Sequence, residues 1–311
     1  MIDRTELRRF RYYFWHLPLW SLGIRNLRHK NNIYDYLVSE VPLARRGFAM
    51  LSEYLNKNYD DPLIEDMVRK TLQVRIIRES DTYLAPLIRK DNLQKYFVLD
   101  GIDNLLMVRD LKRPVFLLTG HVGSFYTSFQ AVGSAIGKEV HTIARSVDDS
   151  RLNPGVKRLY EKINYKFTGK KRVASYIFTN YATKMARSLV PLSKSGSIFF
   201  VLLDLPRSLY PHKRLPVRFL NLTSSLPSNL VSWGIKQKGL FLTVWNTVSF
   251  IDEDSYIRRL TISRPFGEGH GVSEVLQEYA DSLSAIIAKE PWQWMGVPIV
   301  NQFDESEHDH E

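Results

Sequence analysis

From residue 114 onward, short apolar runs alternate with amphipathic stretches of helical spacing. Apolar runs bounded by glycine, proline or charged residues are typical of buried strands. They predict strands near residues 114–119, 139–145, 197–204, 216–220, 240–248 and 256–264. The stretches between and after them predict helices near residues 124–136, 154–164, 173–190, 225–238 and 272–289. This alternation predicts an α/β fold with a mostly parallel central sheet and helices on both faces.

The first 95 residues have a different pattern and are predicted to be mostly helical. Apolar residues recur at helical spacing over 37–55, and Pro62 lies in the first turn of a second predicted helix. We therefore divide the chain into a helical region at 1–95, an α/β domain at 96–303 and a loose acidic tail at 304–311. The helical region is expected to pack on the core or on a membrane.

Composition excludes several kinds of chemistry and favours an anionic partner. The 311 residues are 44% hydrophobic, which is enough for a sizeable core, and they include no cysteine. Disulfides, thiolate metal sites and cysteine nucleophiles are therefore excluded. The net charge of +10 favours membrane headgroups, an acidic carrier protein or nucleic acid. Nucleic acid is the least favoured of these, because the basic residues are dispersed and no zinc-finger or RNP-like pattern is present.

The segment at residues 12–24 is aromatic and apolar, with arginines on both sides. It is too short to span a bilayer, contains Pro18, and is not followed by a signal-peptide cleavage pattern. Aromatic residues between basic flanks suit the bilayer interface. Two interpretations stay open, a docking helix that covers the core and a peripheral membrane contact.

The candidate chemistry begins at Thr119–Tyr126, where a histidine follows a predicted buried strand. Gly120 and Gly123 allow a tight turn, and Ser124 is a candidate N-cap for the next helix. Strand-to-helix turns of open α/β sheets gather functional residues at the carboxyl edge of the strands. His121 is therefore the first candidate for a functional side chain.

Five segments resemble, in order, the sequence blocks of one enzyme superfamily. They are Thr119–Tyr126, Asn153–Leu159, Ser197–Asp204, Val217–Pro227 and Pro291–Trp294. Through them the chain resembles the lysophospholipid acyltransferase superfamily, especially its lipid A-type branch. The resemblance covers roughly residues 95–300 and implies a glycerolipid acyltransferase-like α/β fold.

In that family the histidine of the first block is the catalytic base, and an acidic residue five positions later orients it. Here the fifth position is Tyr126. A neutral phenol can hydrogen-bond an imidazole but cannot supply a negative charge. Asp204 is the best substitute, because it follows a strand expected to run parallel to 114–119 and to end at the same sheet edge. The catalytic candidates are therefore His121, Tyr126 and Asp204.

Substrate-binding candidates come from the same edge and from the block that the resemblance links to the acceptor. They are Gly123, Ser124, Arg145, Arg218 and Asn221. Arg145 ends a predicted strand and suits a phosphate or carboxylate, with a solvated surface arginine as the alternative. For Arg218 and Asn221 the alternatives are a loop salt bridge and a turn residue. The spacing around His121 predicts no metal site.

The resemblance implies a bacterial acyltransferase that transfers groups other than aminoacyl groups and lies peripherally on the cytoplasmic face of the inner membrane. An acyl chain would pass from an acyl-carrier protein or coenzyme A thioester to a hydroxyl or amine of a lipid or glycolipid-like acceptor. No further cofactor is implied. The alternative is a degenerate member that binds lipid or acyl-carrier protein without turnover, and position 126 separates the two. A nucleic-acid binder is a third and weaker hypothesis, favoured only by charge.

Overall fold

The computed structural model describes residues 33–144, 174–178, 189–211, 213–251 and 255–305. Strands and helices alternate between Phe97 and Ala144, and strands predominate among the described elements from there to Pro227. In chain order they are α1 (Ile33–Tyr54), α2 (Asp61–Leu84), β1 (Phe97–Asp100), α3 (Ile102–Val108), β2 (Val115–Thr119), α4 (Phe125–Ile136), β3 (Val140–Ala144), β4 (Ala174–Phe178), β5 (Ile198–Leu202), β6 (Arg214–Phe219), β7 (Leu222–Pro227), α5 (Asn229–Lys236), β8 (Leu240–Phe250), β9 (Tyr256–Ile262) and α6 (Val272–Lys289). Short 3₁₀ segments occur at Ala85–Leu87, Lys90–Lys95, Pro291–Gln293 and Val297–Phe303.

Seven of these strands form one sheet in the order β1-β9-β8-β2-β5-β3-β4. Every neighbouring pair is parallel except β8 and β9, which run antiparallel. The predicted α/β class and mostly parallel sheet are therefore confirmed. The central strand β2 is buried along its whole length, which explains its continuous apolar sequence.

Alternate residues of β2 supply two hydrophobic clusters, as the pleat of a strand requires. Phe116 and Leu118 belong to one cluster, and Val115 and Leu117 belong to the other. The first cluster also receives residues of α1, α2 and α6, and the second receives residues of α3 and α4. Helices therefore cover both faces of the sheet.

The predicted helical region is confirmed over the part that the structure describes, and it packs on the core. Phe48 of α1 and Met67 of α2 are fully buried in the same cluster as Phe116. The side chain of Asp60 accepts a hydrogen bond from the Leu63 N–H at 3.0 Å, which caps the start of α2. Within the described ranges, no helix is both long and apolar enough to cross a membrane.

Two parts of the predicted alternation are wrong. Residues 174–178 were expected within a helix at 173–190, but they form β4, which pairs in parallel with β3. Their Ser-Tyr-Ile-Phe sequence has high strand propensity, and an available sheet edge favours that conformation. The predicted helix at 225–238 starts only at Asn229, because residues 225–227 pair with β6 as part of β7. The predicted helix at 154–164 lies outside the described residues.

The predicted strand at 216–220 corresponds to β6, which belongs to a separate two-stranded hairpin with β7. Leu220 and Asn221 connect the two strands with φ angles of +53° and +65°. Two successive residues of positive φ are what a two-residue hairpin turn of the right twist requires. Leu220 is 2% exposed, so burial of its side chain offsets the cost of a left-handed backbone.

Candidate active site

His121 and Asp204 meet at the carboxyl edge of the sheet. Thr119 at the end of β2 is paired with Leu202 at the end of β5, so the residues two positions further along each chain lie side by side. His121 Nδ1 lies 2.8 Å from Asp204 Oδ1, and the His121 backbone N–H donates to Asp204 Oδ2 at 2.7 Å. The prediction that the two residues lie at the same edge of the sheet is therefore confirmed, and their side chains are also in hydrogen-bond contact. Their catalytic roles stay a prediction.

The Asp204 carboxylate is sealed from solvent, whereas the imidazole is not. The side chain of Asp204 is 1% exposed and that of His121 is 25% exposed. Trp294 Nε1–H donates a third hydrogen bond to this carboxylate, at 3.0 Å from Oδ2. Three N–H donors satisfy the acceptor capacity of a buried carboxylate. Because a carboxylate only accepts, the neutral imidazole carries its proton on Nδ1 and its lone pair on Nε2.

Gly120 makes this arrangement possible by having no side chain. A Cβ at this position would lie 2.9 Å from Asp204 Cγ and 3.1 Å from the Tyr279 hydroxyl oxygen. Tyr279 is fully buried and donates to the Thr119 carbonyl at 2.8 Å. Its burial, and then the nearby Asp204 charge, hold the pKa of Tyr279 well above its ordinary value. The hydroxyl therefore remains a donor that fixes the end of β2.

The turn that carries His121 lies along a C-terminal strap, Gln293–Met295. Backbone contacts join the two, namely Gly123 N–H to Gln293 O at 2.7 Å, Met295 N–H to His121 O at 2.9 Å, and a β-bridge between Val122 and Trp294. Gly123 has a φ of +52°, and a Cβ there would lie 2.1 Å from the Asn246 carbonyl oxygen. Only glycine fits this position, which gives Gly123 a clear structural role.

Ser124 belongs to a buried polar cluster beneath the turn. It is 0% exposed, and its hydroxyl donates to Asp81 and lies 2.9 Å from the Thr127 hydroxyl. Asp81 also accepts from Arg258 Nε at 2.8 Å, and Asn246 Nδ2 donates to the Ser124 carbonyl at 2.7 Å. Burial alone would lower the pKa of Arg258, but the Asp81 charge raises it above its ordinary value. The cluster ties α2 and two strands to the start of α4, and it gives the Ser124 hydroxyl intramolecular partners.

The remaining predicted site residues lie in different surroundings. Tyr126 is half-buried with its ring centre 4.3 Å from that of Phe125, and the Phe125 ring meets His121 edge-on at 4.8 Å. Arg218 and Asn221 are exposed. The Asn221 amide donates to the Tyr54 carbonyl at 2.9 Å, so it links the hairpin to α1.

The backbone of Arg218 is held by Gln277, which accepts from its N–H and donates to its carbonyl, both at 2.9 Å. Arg145, the fifth substrate-binding candidate, lies outside the described residues. The structure thus brings His121, Gly123 and Asp204 together and places Arg218 and Asn221 in or beside the hairpin turn.

The loop that follows Asp204 is fixed by Arg214, which the sequence did not single out. Its side chain is 3% exposed and donates to the carbonyls of Leu205 at 2.8 Å and Tyr210 at 3.1 Å. Burial lowers the pKa of Arg214 to about 10, although Glu305 at 3.9 Å opposes the shift. Glu305 also pairs with Arg207. The packed part of the chain therefore extends two residues into the predicted tail at 304–311. The rest of that tail lies outside the described residues.

No protein-family model matches the chain, and no curated protein matches it. In the ranges that the structure describes, no three His, Cys, Asp or Glu side chains are grouped to hold a metal ion. The function is therefore inferred from the geometry of the His121 site. Its chemistry is a partly exposed imidazole that can accept a proton at Nε2 while a buried carboxylate stabilises the resulting imidazolium.

Proposed function

We propose that this protein is an acyltransferase of the glycerolipid acyltransferase-like kind. It moves an acyl chain from an acyl-carrier protein or coenzyme A thioester to a hydroxyl or amine of a lipid or glycolipid-like acceptor. The observation that carries the proposal is the His121–Asp204 pair, with its 2.8 Å contact at the carboxyl edge of a mostly parallel sheet. Asp204 takes the place of the acid that the resembling family has five positions after its histidine.

The reaction follows from the position of the imidazole lone pair. His121 Nε2 removes the proton of the acceptor hydroxyl or amine as its oxygen or nitrogen attacks the thioester carbonyl. Asp204 accepts the Nδ1–H and stabilises the imidazolium that forms. The tetrahedral intermediate then collapses, its carbon–sulfur bond breaks, and the leaving thiolate takes the proton from Nε2. Atoms and charges balance without any further reactant.

Membrane association is part of the same proposal. The net charge of +10 attracts anionic headgroups, and the aromatic segment at 12–24 lies between arginine clusters. Charge and apolar insertion together hold a protein at a surface where either alone is marginal. These features support a peripheral location on the cytoplasmic face of a bacterial inner membrane, where acyl thioesters and lipid acceptors meet.

The direct test incubates the purified full chain with isotopically labelled acyl thioesters and a bacterial membrane extract, followed by mass spectrometry. We expect a labelled acyl lipid with the wild type and none with His121→Ala. His270→Ala is the matched control, because His270 is an exposed histidine outside the site. Transfer that survives His121→Ala would refute the proposed base. Wild-type binding of lipid or carrier without transfer would favour the non-catalytic alternative.

A further inference from the structure

Arg78 is a buried cation beside the His121 site. The residue lies on α2 and is 5% exposed. Its guanidinium carbon lies 5.8 Å from the centre of the Phe125 ring, and the same ring meets the His121 imidazole at 4.8 Å. The Phe125 ring is therefore close to both a guanidinium and the imidazole. The site thus has a second charged group in its immediate surroundings.

Among the residues that the structure describes, no carboxylate pairs with Arg78. Asp81, one turn further along α2, is committed to Arg258 and Ser124. A buried cation without a counter-ion is costly, and the face of one phenylalanine ring compensates only in part. This unfavourable free energy is tolerated at a residue whose guanidinium lies near Phe125, the ring that packs against His121.

The head of Arg78 is not fully enclosed. Its nitrogens are not among the completely buried polar atoms that lack a partner in the described chain, although the residue as a whole is buried. The guanidinium nitrogens therefore keep a small exposed area, although packing covers nearly all of the residue. Arg89 differs from Arg78, because it is exposed and pairs with Asp91.

We propose that Arg78 binds a phosphate group carried by a substrate of the His121 site. A guanidinium presents paired N–H donors that match phosphate oxygens, and the interaction is strongest where water is excluded. The inference rests on the proposed acyl transfer, since it concerns the substrates of that site. The thioester donors carry phosphate on their pantetheine arm and phospholipid acceptors carry it in the headgroup, so both sources offer the same chemistry.

Calorimetric titration of the purified full chain tests the site without measuring catalysis. The probes are inorganic phosphate, phosphopantetheine and glycerol 3-phosphate. We expect the wild type to bind phosphate and Arg78→Gln to bind it about 10- to 100-fold more weakly, as the loss of charge-assisted hydrogen bonds predicts. Arg78→Lys should retain part of the affinity. Arg89→Gln, which removes an exposed arginine charge, should bind like the wild type.

The melting temperature of the unliganded Arg78→Gln protein separates a binding role from a structural one. Removing a buried cation that pairs with no described carboxylate should leave the melting temperature unchanged or raise it. If the wild type binds phosphopantetheine more tightly than glycerol 3-phosphate, the phosphate that Arg78 recognises belongs to the acyl donor. If it binds glycerol 3-phosphate more tightly, that phosphate belongs to the acceptor.

Equal phosphate affinity in wild type and Arg78→Gln, no phosphate binding by the wild type, or a lowered melting temperature would overturn the inference, even if acyl transfer is measured. Phosphate binding that depends on Arg78 in a protein without acyl transfer would leave the subsite standing and refute the proposed function instead.

Discussion

Replacing Asp204 with asparagine should disable His121 while leaving the fold intact. Asp204 Oδ2 accepts from the His121 backbone N–H at 2.7 Å and from Trp294 Nε1 at 3.0 Å. An asparagine keeps both of these bonds if its oxygen takes the Oδ2 position. Its NH₂ group then faces His121 Nδ1, which must become an acceptor and pass its proton to Nε2.

The expected loss follows from this change of tautomer. With the proton on Nε2, the atom that faces the acceptor has no lone pair, and the imidazolium has no carboxylate partner. Turnover should fall on the order of 10⁴-fold, as it does in other histidine–carboxylate pairs when the acid becomes an amide. The free energy of unfolding should change little, since two of the three hydrogen bonds to this side chain remain.

Initial rates of labelled acyl transfer, together with ¹⁵N NMR of the His121 ring, measure both parts of this prediction. Asp103→Asn is the control, because Asp103 is an exposed aspartate in the first turn of α3. A role for Asp204 in orienting His121 would be refuted if Asp204→Asn kept more than about a tenth of wild-type turnover. It would also be refuted if activity fell while Nδ1 remained protonated.

Three further changes test the supports of the site and of the fold. Trp294→Phe removes one donor from the Asp204 carboxylate and should cost about 1–3 kcal/mol of unfolding free energy in urea titrations, with turnover reduced about tenfold. Asp81→Asn leaves the Arg258 guanidinium buried without its counter-ion and should destabilise by about 3–5 kcal/mol; an unchanged urea midpoint would contradict this. Burial lowers the pKa of His141, so only the unfolded state takes up a proton just below pH ~6.5 and unfolding free energy should fall as pH drops through that window. His141→Gln should show a smaller fall between pH 7 and 5, and an identical pH dependence would remove His141 as a cause.

Hydrophobic patterns in the sequence correctly predicted several of the helices and strands that pack in the core. The helix at 272–289 was predicted with the bounds of α6, since its apolar face repeats at helical spacing and packs on the first cluster. The buried strands β2 and β5 were also predicted, because their apolar runs have few alternatives in an α/β chain. By contrast, β4 was missed because its conformation depends on pairing with β3 at the sheet edge.

Residues of the site could be predicted from the sequence only where a motif or the end of a predicted strand marked them. His121 and Asp204 each follow an apolar run, and parallel strands bring such positions together. The hydrogen bond from the Trp294 indole to Asp204 was not predicted, because the two residues are 90 positions apart in the sequence and meet only in the folded chain. Arg78 gave no signal in the sequence, since its burial and its place beside Phe125 arise from the packing of α2 against α4.

Comparison of His121→Ala, Asp204→Asn and the double variant tests most directly whether the two residues act as one catalytic unit. The measured quantity is the single-turnover rate of labelled acyl transfer, at enzyme concentrations high enough to record the slowest variant. If Asp204 acts only through His121, the double variant transfers at the same rate as His121→Ala alone. If the two losses multiply instead, Asp204 does not act through the imidazole, and the central claim of a His121–Asp204 dyad is contradicted.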